Sequence, residues 1–274
     1  MRKLTIALLL TIFAIAVSAT AFAATPQQEL VENSMINQAI KRGTLKIGVA
    51  SFVPWTMPDK SGKLVGFEID VATRLAKDLG IKPEFILTEW DGIIPALLTG
   101  KLDIIVGGMS IRADRALKVN FSDPYDYSGM DILAGTKKAA GFKSVEDFNK
   151  PEVVIALRTG ASSEAAVKKF MPKAQIRFFS DESQAVQEVL VGRAHAMVSS
   201  MPLPAFQAIK NPGKAFTPLK KPFTTESIAF AVRKGDPDSL NVLNTWIRIV
   251  GNEGWLQERH DYWFNSTEWE KLVN

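Results

Sequence analysis

Two short stretches hold the residue types that grip anions. In the first, Gly107-Gly108-Met109-Ser110 follows directly on the apolar run Leu102–Val106, with Arg115 shortly downstream. Paired glycines at a strand end let backbone amides approach a ligand closely and form an anion-binding nest. Ser110 adds a hydroxyl donor, and a downstream arginine can clasp a carboxylate with two parallel bonds. Arg112, Arg115 and Lys118 are also spaced by three, which describes a solvated helix face equally well. In the second stretch, Arg158-Thr159-Gly160-Ala161-Ser162 closes one apolar run and opens a helical pattern. The free amides of a helix N-terminus bind anions and Arg158 would reinforce them; a capped loop with an exposed arginine is the plainer alternative. Phe52, Trp55 and Trp90 fall in loops just after strand-like runs, where aromatic rings either wall a ligand's apolar part or join the core.

Enzyme signatures are missing. The chain has no GxGxxG, Walker, HExxH or GxSxG pattern. His195 and His260 are its only histidines and it has no cysteine, so a transition-metal site would have to be built largely from carboxylates. His195 lies in a strand-like run and His260 in a helical one, so both are expected to be structural. No catalytic residue, cofactor or metal is expected.

The elements that must position these side chains alternate. A first helix, with Pro26 at its start, is stopped by Gly43, and Leu45–Ala50 reads as a buried strand. Glu68–Leu79 is amphipathic and ends at Gly80; Pro83–Leu87 is strand-like, Asp91 caps a helix over Gly92–Leu98, and Leu102–Val106 is another strand. The alternation restarts after residue 135: a capped turn at Ser144–Asp147, strands at Val153–Leu157, Gln175–Phe179 and His195–Ser199, and helices at Ser162–Phe170 and Asp181–Val191. Ser227–Val232 is a late strand, and helices around Leu240–Val250 and Trp255–Phe264 close the chain. Strands alternating with helices imply parallel sheets covered on both faces, here twice, with a cleft between the units.

Arg2 and Lys3, the apolar stretch Leu4–Val17 and the ending Ala21-Phe22-Ala23 form the three parts of a secretory signal peptide, residues 1–23. No later run approaches the ~18 consecutive apolar residues of a membrane span. An exported chain without cysteine relies on ordinary cores and carries no lipid-anchoring thiol, which places it in a Gram-negative periplasm. The formal charge of +4 falls to about +2 without the leader. Lysine pairs such as Lys137-Lys138 and Lys220-Lys221 are scattered among acids, a solvated surface rather than a nucleic-acid stripe. A monomer is expected.

A set of motifs carries a family resemblance: Gly-Thr-Leu-Lys-Ile-Gly-Val (43–49), Phe-Val-Pro-Trp (52–55), Gly-Phe-Glu-Ile-Asp-Val-Ala (66–72), Trp-Asp-Gly-Ile-Ile-Pro-Ala-Leu (90–97) and Leu-Asp-Ile-Ile-Val-Gly-Gly-Met-Ser-Ile (102–111). Asp-Arg (114–115), Phe-Ser-Asp-Pro-Tyr (121–125), Ile-Ala-Phe-Ala-Val-Arg-Lys-Gly-Asp (228–236) and Gly-Trp-Leu (254–256) continue it. From Gly43 to about Phe264 the chain resembles solute-binding protein family 3, the polar amino-acid-binding proteins of ABC importers. The resemblance implies an α/β, two-lobed periplasmic-binding-protein-like fold of type II, each lobe a mostly parallel sheet flanked by helices. Lobe 1 would take residues 24–133, lobe 2 residues 134–227, and the return to lobe 1 residues 228–274.

By position, the resemblance makes Phe52 and Trp90 a sandwich for the ligand's side chain. Gly108, Ser110 and Arg115 would grip its α-carboxylate, Arg158 would contact it, and the Ser162 amide would close over the carboxylate. Asp91 looks like a helix cap, and Asp70 and Asp114 look structural. The partners implied are a small amino-acid or carboxylate ligand and the permease subunits of an ABC importer. Two departures stand out. The family's ammonium-binding aspartate is replaced within Ser199-Ser200-Met201-Pro202, and an aspartate common in binders of basic amino acids is Val49. Glu226 offers itself as a substitute, or as a plain surface residue. A cleft short of negative charge is therefore expected to bind basic amino acids poorly, and Ser200→Asp to strengthen α-amino-acid binding. The rival functions are a cyclohexadienyl-dehydratase-like enzyme and a sensor or accessory binding protein. The first would need a general acid just beyond Ser199-Ser200, where Leu203 and Pro204 stand.

Overall fold

The computed structural model describes residues 31–273. The expected signal peptide and the start of the first helix at Pro26 lie outside the described residues. Helix α1 (Met35–Arg42) is capped by Ser34, whose hydroxyl accepts the Asn37 N–H, and stops at Gly43 in the left-handed region. Strand β1 (Thr44–Val49) follows, then a hairpin of β2 (Met57–Pro58) and β3 (Leu64–Val65), helix α2 (Phe67–Asp78) and β4 (Lys82–Leu87). A 3-10 turn over Trp90–Gly92 leads into α3 (Ile93–Leu98), β5 (Ile104–Ile105) and the short α4 (Ala113–Ala116). Asp91 is exposed and makes no capping bond; Gly92 precedes α3 without a side-chain cap, so the expected cap is corrected.

Two long strands come next, β6 (Asn120–Ser128) and β7 (Met130–Gly135). The chain then runs through α5 (Thr136–Ala139), a turn at Val145–Phe148 with a Ser144–Asp147 capping box, β8 (Val154–Arg158), α6 (Ser163–Phe170), β9 (Gln175–Phe179) and α7 (Glu182–Leu190). After them come β10 (Ala196–Ser200), α8 (Leu203–Lys210), β11 (Ala215–Phe216), β12 (Glu226–Val232), α9 (Pro237–Asn252), α10 (Trp255–Phe264) and α11 (Glu270–Val273).

The strands form two five-stranded sheets, ordered β4-β1-β5-β12-β6 and β11-β7-β10-β8-β9. In each, three strands are parallel (β4, β1, β5; β10, β8, β9) and the rest join antiparallel. The antiparallel edges arise because β6 leaves one sheet for the other and β12 comes back. The expected boundary at 133/134 falls inside β7, which pairs in the second sheet from Met130 onward, and that at 227/228 falls inside β12, which begins at Glu226. Gly129 lies at the first crossing. A Cβ there would stand 2.2 Å from the Thr224 carbonyl oxygen and 2.8 Å from the Pro222 Cβ, so the two crossing segments touch backbone to backbone.

Each sheet buries both faces, and the alternation of strand residues shows it. Within β8, Ile155 and Leu157 join Ile132, Phe148 and Val167 on one side, while Ala156 faces Val186 and Val189 of α7 on the other. In the first sheet Ile47, Val49 and Phe230 pack with Leu75, Trp246 and Trp263. Ile105 packs with Ile93, Leu97 and Leu102 on the opposite face. Each fully buried aliphatic or aromatic side chain contributes about 1.5–3 kcal/mol of transfer free energy. Among the described residues, no helix is long and apolar enough to cross a membrane.

Candidate functional site

The carboxyl ends of the parallel strands point into the gap between the sheets, where ligands of open α/β folds sit. Phe52 follows β1, Trp90 follows β4 and Ser110 follows β5; from the other sheet Arg158 ends β8 and Ser200 ends β10. Ser110 is fixed by its neighbours: the Ile111 N–H donates to the Ser227 carbonyl and the Ala229 N–H to the Met109 carbonyl, stitching this loop to the start of β12.

That stitching sets Ser110 beside Glu226, and Glu226 is the centre of the site. Its Oε1 accepts from the hydroxyls of Ser110 at 2.5 Å and Ser162 at 2.6 Å, and its Oε2 from Ser200 at 2.7 Å. The carboxylate is 8% exposed, so the hydroxyls replace water as its donors. The surface reading of Glu226 is thereby excluded, and so is the expected shortage of negative charge. Ser162 precedes α6 without capping it, because its hydroxyl is spent on Glu226.

Arg115 lies close by and is also buried. Its Nη1 donates to the Ser110 carbonyl and its Nη2 to the Gly160 carbonyl, both at 3.1 Å, and its guanidinium faces the Trp90 ring at 5.5 Å. Burial, with the positive charge of Arg112 second, pushes its pKa down to about 10, and Glu226 is among the carboxylates that pull it back. Arg115 therefore remains cationic at neutral pH, and the solvated-face alternative does not describe it.

The Trp90 indole Nε1 donates to the same Gly160 carbonyl at 3.1 Å. Its ring and that of Phe52 stand at 4.6 and 5.1 Å from the Arg158 guanidinium, so the chain's own arginine faces both rings of the expected sandwich. Arg158 is buried, forms an ion pair with buried Glu182 at 3.4 Å and donates weakly to the Ser51 carbonyl. Burial lowers the pKa of Arg158 and raises that of Glu182, each opposed by the charge of the other.

Gly108 does something other than expected. Its N–H donates to Glu68 Oε1 at 2.6 Å, so that amide is spent inside the protein rather than held out to a ligand. Glycine is required there on two counts: φ is +67°, and a Cβ would press on the Trp55 ring at 3.3 Å. Trp55 is core, with its Nε1 reaching across to the Met201 carbonyl. His195 accepts the Val154 N–H, and His260 pairs with Asp126, structural roles for both. Sequence reasoning did not find Glu182 or Glu68. Glu182 carries no signal beyond its place after the helix cap Asp181.

Beyond the two aromatic rings opens a cavity of about 410 Å³, walled by Phe52, Trp90, Arg158 and Glu182 among others.

Two α/β lobes, crossed twice by the chain and meeting over buried opposite charges, make a two-lobed binding protein of the periplasmic type. The chain belongs to the bacterial extracellular solute-binding proteins, family 3, whose family model matches residues 45–266. It is similar to the L-cystine-binding protein of Escherichia coli (strain K12), at 27% identity over 240 residues, 87% of this chain and 89% of that one. Among solved structures, an ancestral amino acid-binding protein described as a precursor of cyclohexadienyl dehydratase matches with a TM-score of 0.77. Its identity is 44% over 84% of this chain and 99% of that one. A binding component of an ABC transporter from Wolinella succinogenes DSM 1740, complexed with lysine, matches with a TM-score of 0.78 at 38% identity, over 84% and 99% of the two chains.

Proposed function

We propose that this chain is a periplasmic receptor that captures a free α-amino acid between its lobes and delivers it, as a monomer, to the permease of an ABC importer. One observation supports this most: Arg115 and Glu226, buried and of opposite charge, stand on either side of Ser110. A zwitterion complements that pair, its carboxylate on Arg115 and its ammonium on Glu226, which takes the role of the missing strand-end aspartate. Lobe 1 would comprise residues 31–128 and 226–273, and lobe 2 residues 130–225. Ser110 and Glu226 belong to the first, Ser162, Ser200 and Arg158 to the second, so a bound head group would favour the closed form by its contacts to both. The lysine complex of the Wolinella protein and the cystine-binding name of the Escherichia protein lend the amino-acid class support.

The test is calorimetry on protein freed of carried ligand, with the common α-amino acids, L-cystine and the matching 2-oxo acids. At least one α-amino acid should bind, and its 2-oxo acid about tenfold or more weaker, since it lacks a charge-assisted bond of about 1.5–3 kcal/mol. Equal binding of the two would overturn the ammonium role of Glu226. Export is checked by sequencing the mature N-terminus, expected at Ala24, and delivery by loss of uptake of that amino acid when the gene is deleted. Binding rather than dehydration is favoured because the segment after Ser200 enters α8 with Leu203 and Pro204 buried, side chains that hold no transferable proton. Incubation with prephenate should give no phenylpyruvate absorbance.

A further inference from the structure

The 410 Å³ cavity beyond the aromatic rings is not lined by Ser110, Arg115, Ser162, Ser200 or Glu226, so it is a space apart from the head-group site. Two of its walls are buried charges left incompletely bonded. Arg158 Nε makes no hydrogen bond, and Glu182 Oε2 has no well-formed one although the nearby Ser199 hydroxyl pulls on this carboxyl; the side chains are 5% and 7% exposed and form an ion pair at 3.4 Å. Leaving such groups unsatisfied in the interior is costly, and a group entering the cavity beside them would lower that cost. Glu89 and Asp181 also line it, so one guanidinium faces three carboxylates.

That composition discriminates between ligand tips. A purely cationic tip would satisfy Glu182 and leave Arg158 Nε without an acceptor. A purely anionic tip would satisfy Arg158 and meet three carboxylates. A tip carrying both signs satisfies both residues at once. We infer that the cavity holds the second, distal amino-acid head of a diamino-dicarboxylic acid, its carboxylate on Arg158 and its ammonium on Glu182. The ligand's chain would run along Trp90, whose ring touches both Arg115 and Arg158. The inference rests on the amino-acid reading of the head-group site and adds the class of side chain.

Three probes of nearly one length decide it by calorimetry on the full mature protein. They are meso-diaminopimelate, L-lysine, which is the same chain without the distal carboxylate, and L-α-aminopimelate, which lacks the distal ammonium. Diaminopimelate should bind about tenfold or more tightly than either. Arg158→Met should erase its advantage over lysine and leave that over α-aminopimelate; Glu182→Gln should do the reverse. Lysine or α-aminopimelate binding as tightly as diaminopimelate would sink the distal site while leaving the head-group reading intact. So would binding of other α-amino acids with none of the three. If no α-amino acid bound at all, both readings would fall. The comparison of the three ligands on the unmodified protein stands even where a variant fails to fold.

Discussion

Glu226 has its three hydroxyl partners 116, 64 and 26 residues away in the chain, and that is why spacing could not reveal it. Arg115 and Ser110 were legible because they follow a strand by a short, recognisable interval; Arg158 was legible as a position, but its burial against both aromatic rings was not. Gly108 was expected to offer its N–H to a ligand, and Glu68, 40 residues earlier, takes it instead. The geometry reverses one expectation from sequence. Ser200→Asp would set a carboxylate where a hydroxyl now donates to Glu226 at 2.7 Å, so like charges would meet in a buried place. Amino-acid binding should weaken, as measured by calorimetry, and recover in part when Glu226→Gln is added. Arg115→Ala removes one partner of a desolvated charge pair, and a loss of about 3–5 kcal/mol, several hundredfold in affinity, is expected with the fold intact by circular dichroism.

Among elements, α2 was legible because burial of one face gives its apolar stripe and β5 because burial of both faces gives a continuous apolar run, whereas β6 and β7 escaped. Asn120–Ser128 contains Pro124 and carries polar residues on both sides, and its ladder to β12 is broken by irregular register. The link between β6, α2 and the Gly108 loop is Glu68, whose oxygens receive the Tyr125 hydroxyl at 2.9 and 2.7 Å as well as the Gly108 N–H. Burial raises this carboxyl from 4.5 to about 8, against the pull of those two donors. The folded chain thus keeps a proton through a window in which the unfolded chain has lost it. Stability from this group is full below about pH 4.5 and is lost as pH rises toward about 8. Glu68→Gln, neutral at every pH, should flatten that part of the stability–pH curve in urea melts at pH 5 to 8. An unchanged slope would place the titration elsewhere.

For the whole molecule, the lobes are joined by bonds that cross the cleft. Trp90 Nε1 and Arg115 Nη2 share the Gly160 carbonyl, Trp55 Nε1 reaches Met201, and Glu226 gathers hydroxyls from both sides. Contact between the lobes consequently rests on a few such bonds. Trp90→Phe keeps an aromatic ring, though a smaller one, and deletes one of them, worth about 0.5–1.5 kcal/mol, so ligand affinity should fall by about twofold to tenfold or somewhat more. Small-angle scattering should show a larger radius of gyration for the ligand-free variant than for the parent. The two-unit alternation and the fact of a crossing and a return were visible from sequence; the residues at which they occur were off by a few, because they depend on which sheet accepts each edge strand. At one of them, Gly129 lets two ribbons of backbone lie against each other with no room for a single carbon between. In a saturation library under selection for transport, that position should be as empty of survivors as the floor of the binding site.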